Sequence, residues 1–263
     1  MSEKNIGERE ILLRLNDIAG LPFGTEDFSV FLYSLVSMHA PATIVELGTG
    51  IGTSAFWMAA AAKKNGVGHV WTVDDFEWFN HDKERVRRII TNLRDANVIS
   101  FGDVTPEEFY SQMSNLLGLD DYLTFVKAKI MLKEVDHFNL YSFSKSPIDL
   151  LFSDFRHGSM EILELLGHFL PKMAPSSSIF IHSASTSWAS YLLLEQIVSH
   201  LNAGNVPKAL QELCSTDVNE AMKNRRIQLV HLTERKADNQ NSAAWLKIEP
   251  IDVFPHPRTK MRP

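Results

Sequence analysis

The chain holds one cysteine, Cys214, among 263 residues. An intrachain disulfide is therefore excluded, and such usage fits a reducing compartment, the cytoplasm. No thiol-activating residues surround Cys214, which predicts a structural thiol rather than a nucleophile. No apolar run reaches membrane-spanning length. The opening residues, MSEKNIGERE, contain no hydrophobic signal core. Basic residues are outnumbered, 26 Lys and Arg against 32 Asp and Glu, for a formal charge of −6. That balance argues against a nucleic-acid partner, whose footprint is normally basic. There is no internal repeat and no low-complexity segment. What remains is 44% hydrophobic residues, an ordinary globular share. The length suits one large α/β domain with additions, or two small ones.

One stretch organises the rest, Thr43 to Asp75. Thr43-Ile44-Val45 is an apolar, β-branched run suited to a buried parallel strand, ended by Glu46. Gly48, Gly50 and Gly52 alternate after it, then Thr53 and Ser54, then an Ala-rich helical run to Lys64. His69 to Val73 reads as a second strand ending in Asp74-Asp75. Strand, glycine turn, helix, strand and acid make the nucleotide-binding half of a Rossmann-like unit. Glycines let a ligand approach main-chain N–H groups, and the helix N-terminus adds unpaired donors. An acid at the second strand's tip can accept both hydroxyls of a ribose. The glycine spacing is not the G-x-G-x-x-G of a pyrophosphate site. Glu46, one residue past the first strand, suits a ligand bearing a positively charged amino group.

The remaining elements follow from periodicity and stop signals. Helices are expected at Glu8–Ala19, Asp27–Met38, Lys83–Ala96, Thr105–Leu117, Ser159–Met173 and Thr186–Leu201. Thr105 as N-cap, Pro106 at N1 and Glu108 at N3 make the fourth start unusually clear. Strands are expected at Tyr122–Ile130, Ile148–Asp154, Ser178–Ile181, Arg226–Thr233 and Ala244–Ile251, the last two joined by a polar turn. Asn97–Asp103 reads equally as a short strand or a linker, and Gly204–Arg225 as a partly helical connection. Arg85, Arg87, Arg88 and Arg94 form a solvated face. His137, His168 and His200 read as surface residues. The basic, Pro-containing end from Pro255 is expected to be an extended arm.

VELGTGIGTSA resembles motif I of the class I S-adenosylmethionine (SAM)-dependent methyltransferases, and WTVDD resembles their motif II. The resemblance implies a Rossmann-like α/β fold: a mostly parallel seven-stranded sheet with an antiparallel edge and helices on both faces. It implies SAM as cofactor, held by Glu46, Gly48, Thr49, Gly50, Gly52, Thr53, Ser54, Asp74 and Asp75. The matching domain is expected at 41–254, with a helical extension at 1–40 and a tail at 255–263. Such leading helices cover the cofactor site, bind a second subunit in a homodimer, or simply pack on the sheet. The family's adenine-contacting acid is missing: Ala128 and Lys129 stand there, so a main-chain contact is expected, with Asp103 an alternative.

IDLLFSDFRHGSMEILELLGHFLPKMAPSSSIFIHS is similar to a bacterial small-molecule O-methyltransferase group with the pattern IDLLFIDGDHSYE and a later LKPGGLIVFHD. Asp154, His157 and His182 match it. The resemblance implies a small-molecule acceptor, with His157 or His182 taking a hydroxyl proton. Asp154 would position the substrate or the methionine amino group of SAM. Arg156 stands where metal-dependent relatives carry a second acid, and Ser183 replaces the acid after His182. A hard cation wants oxygen ligands, and an arginine repels it, so no catalytic metal is expected. Trp78, Phe79, Phe155 and Trp188 are either pocket lining or core. Two other functions fit the same residues: a SAM enzyme doing cyclisation or rearrangement, and an inactive SAM-fold interaction module.

Overall fold

The run Thr43–Leu47 forms β1 and is buried at every position, as its β-branched, apolar composition requires. The structure is a computed structural model; it describes residues 7–20, 26–102, 104–132, 143, 146–184, 188–213, 218–236 and 239–251. The chain forms two compact units, Met1–Ile130 and Met131–Pro263.

In the first unit, α1 (Glu8–Leu15) passes into a π-helical turn at Asn16–Gly20, and α2 (Glu26–His39) leads into β1. Then follow α3 (Thr53–Asn65), β2 (His69–Asp74), α4 (Glu77–His81), α5 (Lys83–Asp95), α6 (Pro106–Leu117) and β3 (Leu123–Lys127). β1 and β2 run parallel from Thr43 opposite His69 to Leu47 opposite Val73, and β2 and β3 from Val70 opposite Leu123 to Asp74 opposite Lys127. This register brings the ends of all three strands to one edge. α3 is buried from Ala55 through Ala62. Its alanines give a narrow helix with little side-chain entropy to lose. The α6 start has the expected capping box: Thr105 Oγ1 accepts from the Glu108 N–H at 3.2 Å, and Glu108 Oε2 accepts from the Thr105 N–H at 2.8 Å.

In the second unit, β4 (Ile148–Ser153), α7 (Ser159–Phe169), a 3₁₀ turn (Leu170–Lys172) and β5 (Met173–His182) are followed by α8 (Trp188–Asn202), α9 (Lys208–Gln211) and α10 (Val218–Met222). β6 (Arg225–Lys236) and β7 (Asn239–Pro250) pair as a long antiparallel hairpin, and β7 pairs antiparallel with β5. β4 and β5 are parallel. These seven strands are the mostly parallel sheet with an antiparallel edge expected of a Rossmann-like methyltransferase fold.

Several boundaries differ from expectation. β1 continues through Glu46 to Leu47, so Glu46 lies within the strand. Among residues 97–102 there is no strand. β5 starts at Met173 rather than at Ser178, so Ser176-Ser177 lie inside it. The pairing register jumps there, from Met173 opposite Ile148 to Ser178 opposite Leu150. Pro175 has no N–H to offer a ladder, which favours such an irregularity. The hairpin strands extend into the polar turn, to Lys236 and from Asn239. His168 is buried rather than at the surface: it lies on the inner face of α7, and Lys172 Nζ is 2.9 Å from its Nε2. Tyr191 is half-buried, with its ring 4.5 Å from that of His231. Asp103, His137, Cys214 and the tail at 255–263 lie outside the described residues.

Candidate active site

The glycine turn is the most tightly specified part of the first unit. Gly48, Gly50 and Gly52 have φ of 91°, 52° and 85°, the left-handed region where a Cβ is costly. A Cβ on Gly52 would come within 2.8 Å of the Phe56 ring. A Cβ on Gly50 would meet nothing within 4 Å among the described residues. Gly52 is the N-cap of α3 and brings no side chain to cap it, which leaves the first helical N–H groups without an intrahelical acceptor. The Thr53 hydroxyl is buried and has no hydrogen-bond partner among the described residues.

The acids around this turn hold it together. Glu46 is fully buried, and its Oε1 accepts from Ser54 Oγ. Its Oε2 accepts from Thr72 Oγ1 at 2.5 Å. Thr49 Oγ1 lies 2.6 Å from Thr72 Oγ1. The single Thr72 proton is directed at Glu46, so Thr49 is the donor in that second bond. The Asp74 carboxylate accepts from the Thr49 N–H at 2.8 Å and from the Phe76 N–H at 2.7 Å. Burial raises the Asp74 pKa, opposed by those two main-chain donors. Asp75 accepts from the Glu77 N–H at 3.0 Å. The side-chain protons of Thr49 and Ser54 are thus directed into the protein, and toward a ligand these residues offer lone pairs and main-chain groups. The Ala128 N–H, expected near the adenine, donates to the Asp74 main-chain oxygen at 2.8 Å.

Two aromatic donors fasten the turn from its other side. The Gly50 carbonyl accepts from Tyr110 Oη at 2.5 Å and from Trp78 Nε1 at 2.9 Å. Tyr110 is buried and stacks on Phe125, with centroids 4.5 Å apart and planes 12° apart. Burial, reinforced by the Asp74 charge, lifts its phenol well above the ordinary pKa, so it stays a donor. Thr72 and Tyr110 had escaped the sequence reading. Thr72 is a polar residue inside an otherwise apolar strand, which is a usable signal; nothing in sequence links Tyr110 to Gly50, sixty positions away.

In the second unit, the ends of β4 and β5 carry the other predicted residues. His182 Nδ1 donates to Asp154 Oδ1 at 2.8 Å, with Ser183 Oγ 3.3 Å from the same nitrogen. A proton on Nδ1 directed at Asp154 would place the lone pair of a neutral His182 ring on Nε2. The His157 ring centroid is 6.4 Å from that of His182, at 80°. His157 is anchored at its main-chain oxygen by Ser190 Oγ, at 2.7 Å. Its Nδ1 is buried and has no hydrogen-bond partner among the described residues. Burial lowers the His157 pKa and the His182 charge adds to the shift, while the Asp154 charge and a hydrogen bond to the His182 main chain oppose it. Arg156 is exposed, its guanidinium 5.4 Å from the Phe155 ring centroid. Among the described residues no group of three His, Cys, Asp or Glu is placed to hold a metal ion. Trp78 and Phe155 are half-buried, and Phe79 is core.

The model of a family described as "Methyltransferase domain" matches residues 45–184. The chain belongs to that methyltransferase family. The match runs from β1 to the end of β5 and so takes in both clusters. This methyltransferase is of the class I SAM-dependent kind, as the motif resemblance implied. No curated protein sequence matches it. Among solved structures it is similar to a candidate O-methyltransferase from Klebsiella pneumoniae, at 15% identity and a TM-score of 0.50, covering 90% of this chain and 88% of that one. It is also similar to cofactor-bound Rv0187 from MTB, at 12% identity and a TM-score of 0.52, covering 85% and 80%. These likenesses concern the fold. The O-methyltransferase TomG from Streptomyces achromogenes, solved with SAM, overlaps at a TM-score of 0.48 with 13% identity over 91% and 90% of the chains.

Proposed function

We propose that this methyltransferase moves the methyl group of SAM to an oxygen of a small-molecule acceptor, without a catalytic metal. The observation that carries the reading is the Asp154–His182 pair beside a His157 whose buried Nδ1 has no hydrogen-bond partner among the described residues. The glycine turn fits the cofactor: a Gly50 whose Cβ position meets nothing among the described residues, an uncapped helix start and a buried Thr53 hydroxyl suit a ligand rich in acceptors. Glu46, enclosed beneath the turn, would attract the methionine amino group by its charge, Asp74 or Asp75 would accept from the ribose, and the turn's N–H groups would meet the carboxylate. Bound SAM supplies a methyl carbon activated by a sulfonium, so the protein needs to align and deprotonate rather than to form a covalent link.

The protein's own part is proton transfer. A neutral imidazole accepts the hydroxyl proton as the oxygen lone pair forms the new bond to carbon and the carbon–sulfur bond breaks. His182 suits this because Asp154 orients it and would stabilise the imidazolium. His157 suits it because its lowered pKa keeps it unprotonated near neutrality. Arg156, in the position of an acid that would help to cage a cation, and Ser183, in place of another, favour chemistry without a metal. We place the protein in the cytoplasm, where SAM is made; no helix among the described residues is long and apolar enough to cross a membrane.

The test is product analysis with SAM and a panel of phenols, catechols and hydroxy acids. Acceptor-dependent S-adenosylhomocysteine with an O-methylated product is expected. Methylthioadenosine, or no affinity for SAM, would overturn the reading.

A further inference from the structure

Glu46 and Asp74 sit at the tips of neighbouring parallel strands, β1 and β2, and they are joined. Thr72 Oγ1 donates to Glu46 Oε2 at 2.5 Å, Thr49 Oγ1 donates to Thr72 Oγ1 over 2.6 Å, and the Thr49 N–H donates to Asp74 Oδ2 at 2.8 Å. The first two bonds are fully enclosed: Glu46 and Thr72 are 0% exposed and Thr49 is 3% exposed. A second branch leaves Glu46 for Ser54 in the first turn of α3. Thr72 is the only member of the relay that touches both the Glu46 carboxylate and the glycine-turn side chain. It has no surface of its own for a ligand.

We infer that Thr72 is a positioning residue for the cofactor, setting Glu46 and Thr49 in one arrangement so that the amino-acid end and the ribose end of the site are fixed together. The reasoning is geometric. Thr72 and Ser54 hold one oxygen of Glu46 each, which fixes the carboxylate in one orientation. Thr49 is held in the turn by main-chain bonds, its carbonyl accepting from the Gly52 N–H at 2.8 Å and its N–H donating to Asp74, and its hydroxyl bond to Thr72 is what ties its side chain to Glu46. Without that tether Thr49 keeps its main-chain bonds, but the Asp74 side of the turn is no longer joined to the Glu46 carboxylate. Packing alone gives a different expectation: a threonine on a buried strand fills space with its methyl group, and valine fills it equally well.

This inference rests on the SAM reading, and one experiment separates the two. Affinity for S-adenosylhomocysteine is measured by titration calorimetry for the wild type, Thr72→Val and Thr72→Ser, with a thermal melt of each. Thr72→Val, which keeps the shape and loses the donor, is expected to weaken binding about tenfold, the scale of one buried hydrogen bond. Thr72→Ser, which keeps the donor, is expected to stay within about threefold of the wild type although it loses the methyl group. Equal affinity in Thr72→Val and wild type, or equal losses in the two variants, would overturn the positioning role while leaving the cofactor reading intact. A wild type that shows no binding overturns that reading instead. If Thr72→Val does not fold, Thr49→Val removes the same tether from its other end, and its affinity is judged against the same two outcomes.

Discussion

The two clusters treat their polar groups in opposite ways. Around the glycine turn, Glu46, Ser54, Thr72, Thr49 and Asp74 are bound to one another or to main chain, and the Gly50 carbonyl accepts twice. At the ends of β4 and β5 one pair is fixed, Asp154 with His182, while a buried nitrogen of His157 has no hydrogen-bond partner among the described residues and Arg156 lies over the Phe155 ring. The difference matches two tasks. A binding turn gains affinity by being rigid before its ligand arrives. A proton acceptor must keep a lone pair uncommitted until a substrate hydroxyl is present.

Substitutions in the second cluster should therefore act on rate, and those in the first on affinity. The largest expected effect is His182→Ala, with kcat falling about 10²- to 10⁴-fold, the usual weight of a general base. Its affinity for SAM by calorimetry should be unchanged; an equal loss in affinity would break the contrast. Asp74→Ala is expected to raise the Kd for SAM about a hundredfold, since it strips the Thr49 and Phe76 N–H groups of their acceptor as well as removing the ribose contact. If kcat at saturating SAM fell as far as affinity, the first cluster would be catalytic too.

A smaller effect concerns pH. Burial lowers the His157 pKa in the folded protein. As pH falls below about 6.5, the unfolded chain takes up that proton first. The contribution of His157 is therefore complete above that pH and is lost from there down to the native pKa. Thermal melts between pH 7.5 and 5 should fall more steeply for wild type than for His157→Gln. Parallel slopes would show that His157 is not held neutral by the fold.

The contrast between the clusters also sets what sequence could show. The turn was legible because glycine, helix start and strand-end acid are local signals within some thirty residues. Asp154, His157 and His182 are recognisable at strand ends, but nothing in their spacing shows that Asp154 binds Nδ1 of His182 while Nδ1 of His157 finds no partner among the described residues. The Tyr110–Gly50 bond depends on how α6 packs, which spacing does not encode. His168 shows the same limit: its polarity suggested a surface position, but the inner face of α7 and Lys172 at i+4 bury it. The spacing places the start of β5 at Ser178, five residues late, because Pro175 lacks the N–H of a regular ladder, while the sheet absorbs it as an irregularity.

The smallest expected effect is that of metal removal. In the second cluster Asp154 already directs an oxygen to His182, Arg156 adds a positive charge two residues away, and Ser183 offers a neutral hydroxyl. A magnesium ion prefers carboxylates and water in near-octahedral order, and one carboxylate beside a guanidinium supplies a weak claim on it. Initial rates measured with excess EDTA and with millimolar magnesium should therefore agree within about twofold. Arg156→Asp sharpens the point, because it places a second carboxylate where the cation now repels: a magnesium dependence present in this variant and absent in wild type is the expected outcome. A wild-type rate that collapses with EDTA and returns with magnesium would mean that Asp154 serves a cation rather than His182, and the contrast between a rigid binding turn and a protein-based proton acceptor would fail at its second half.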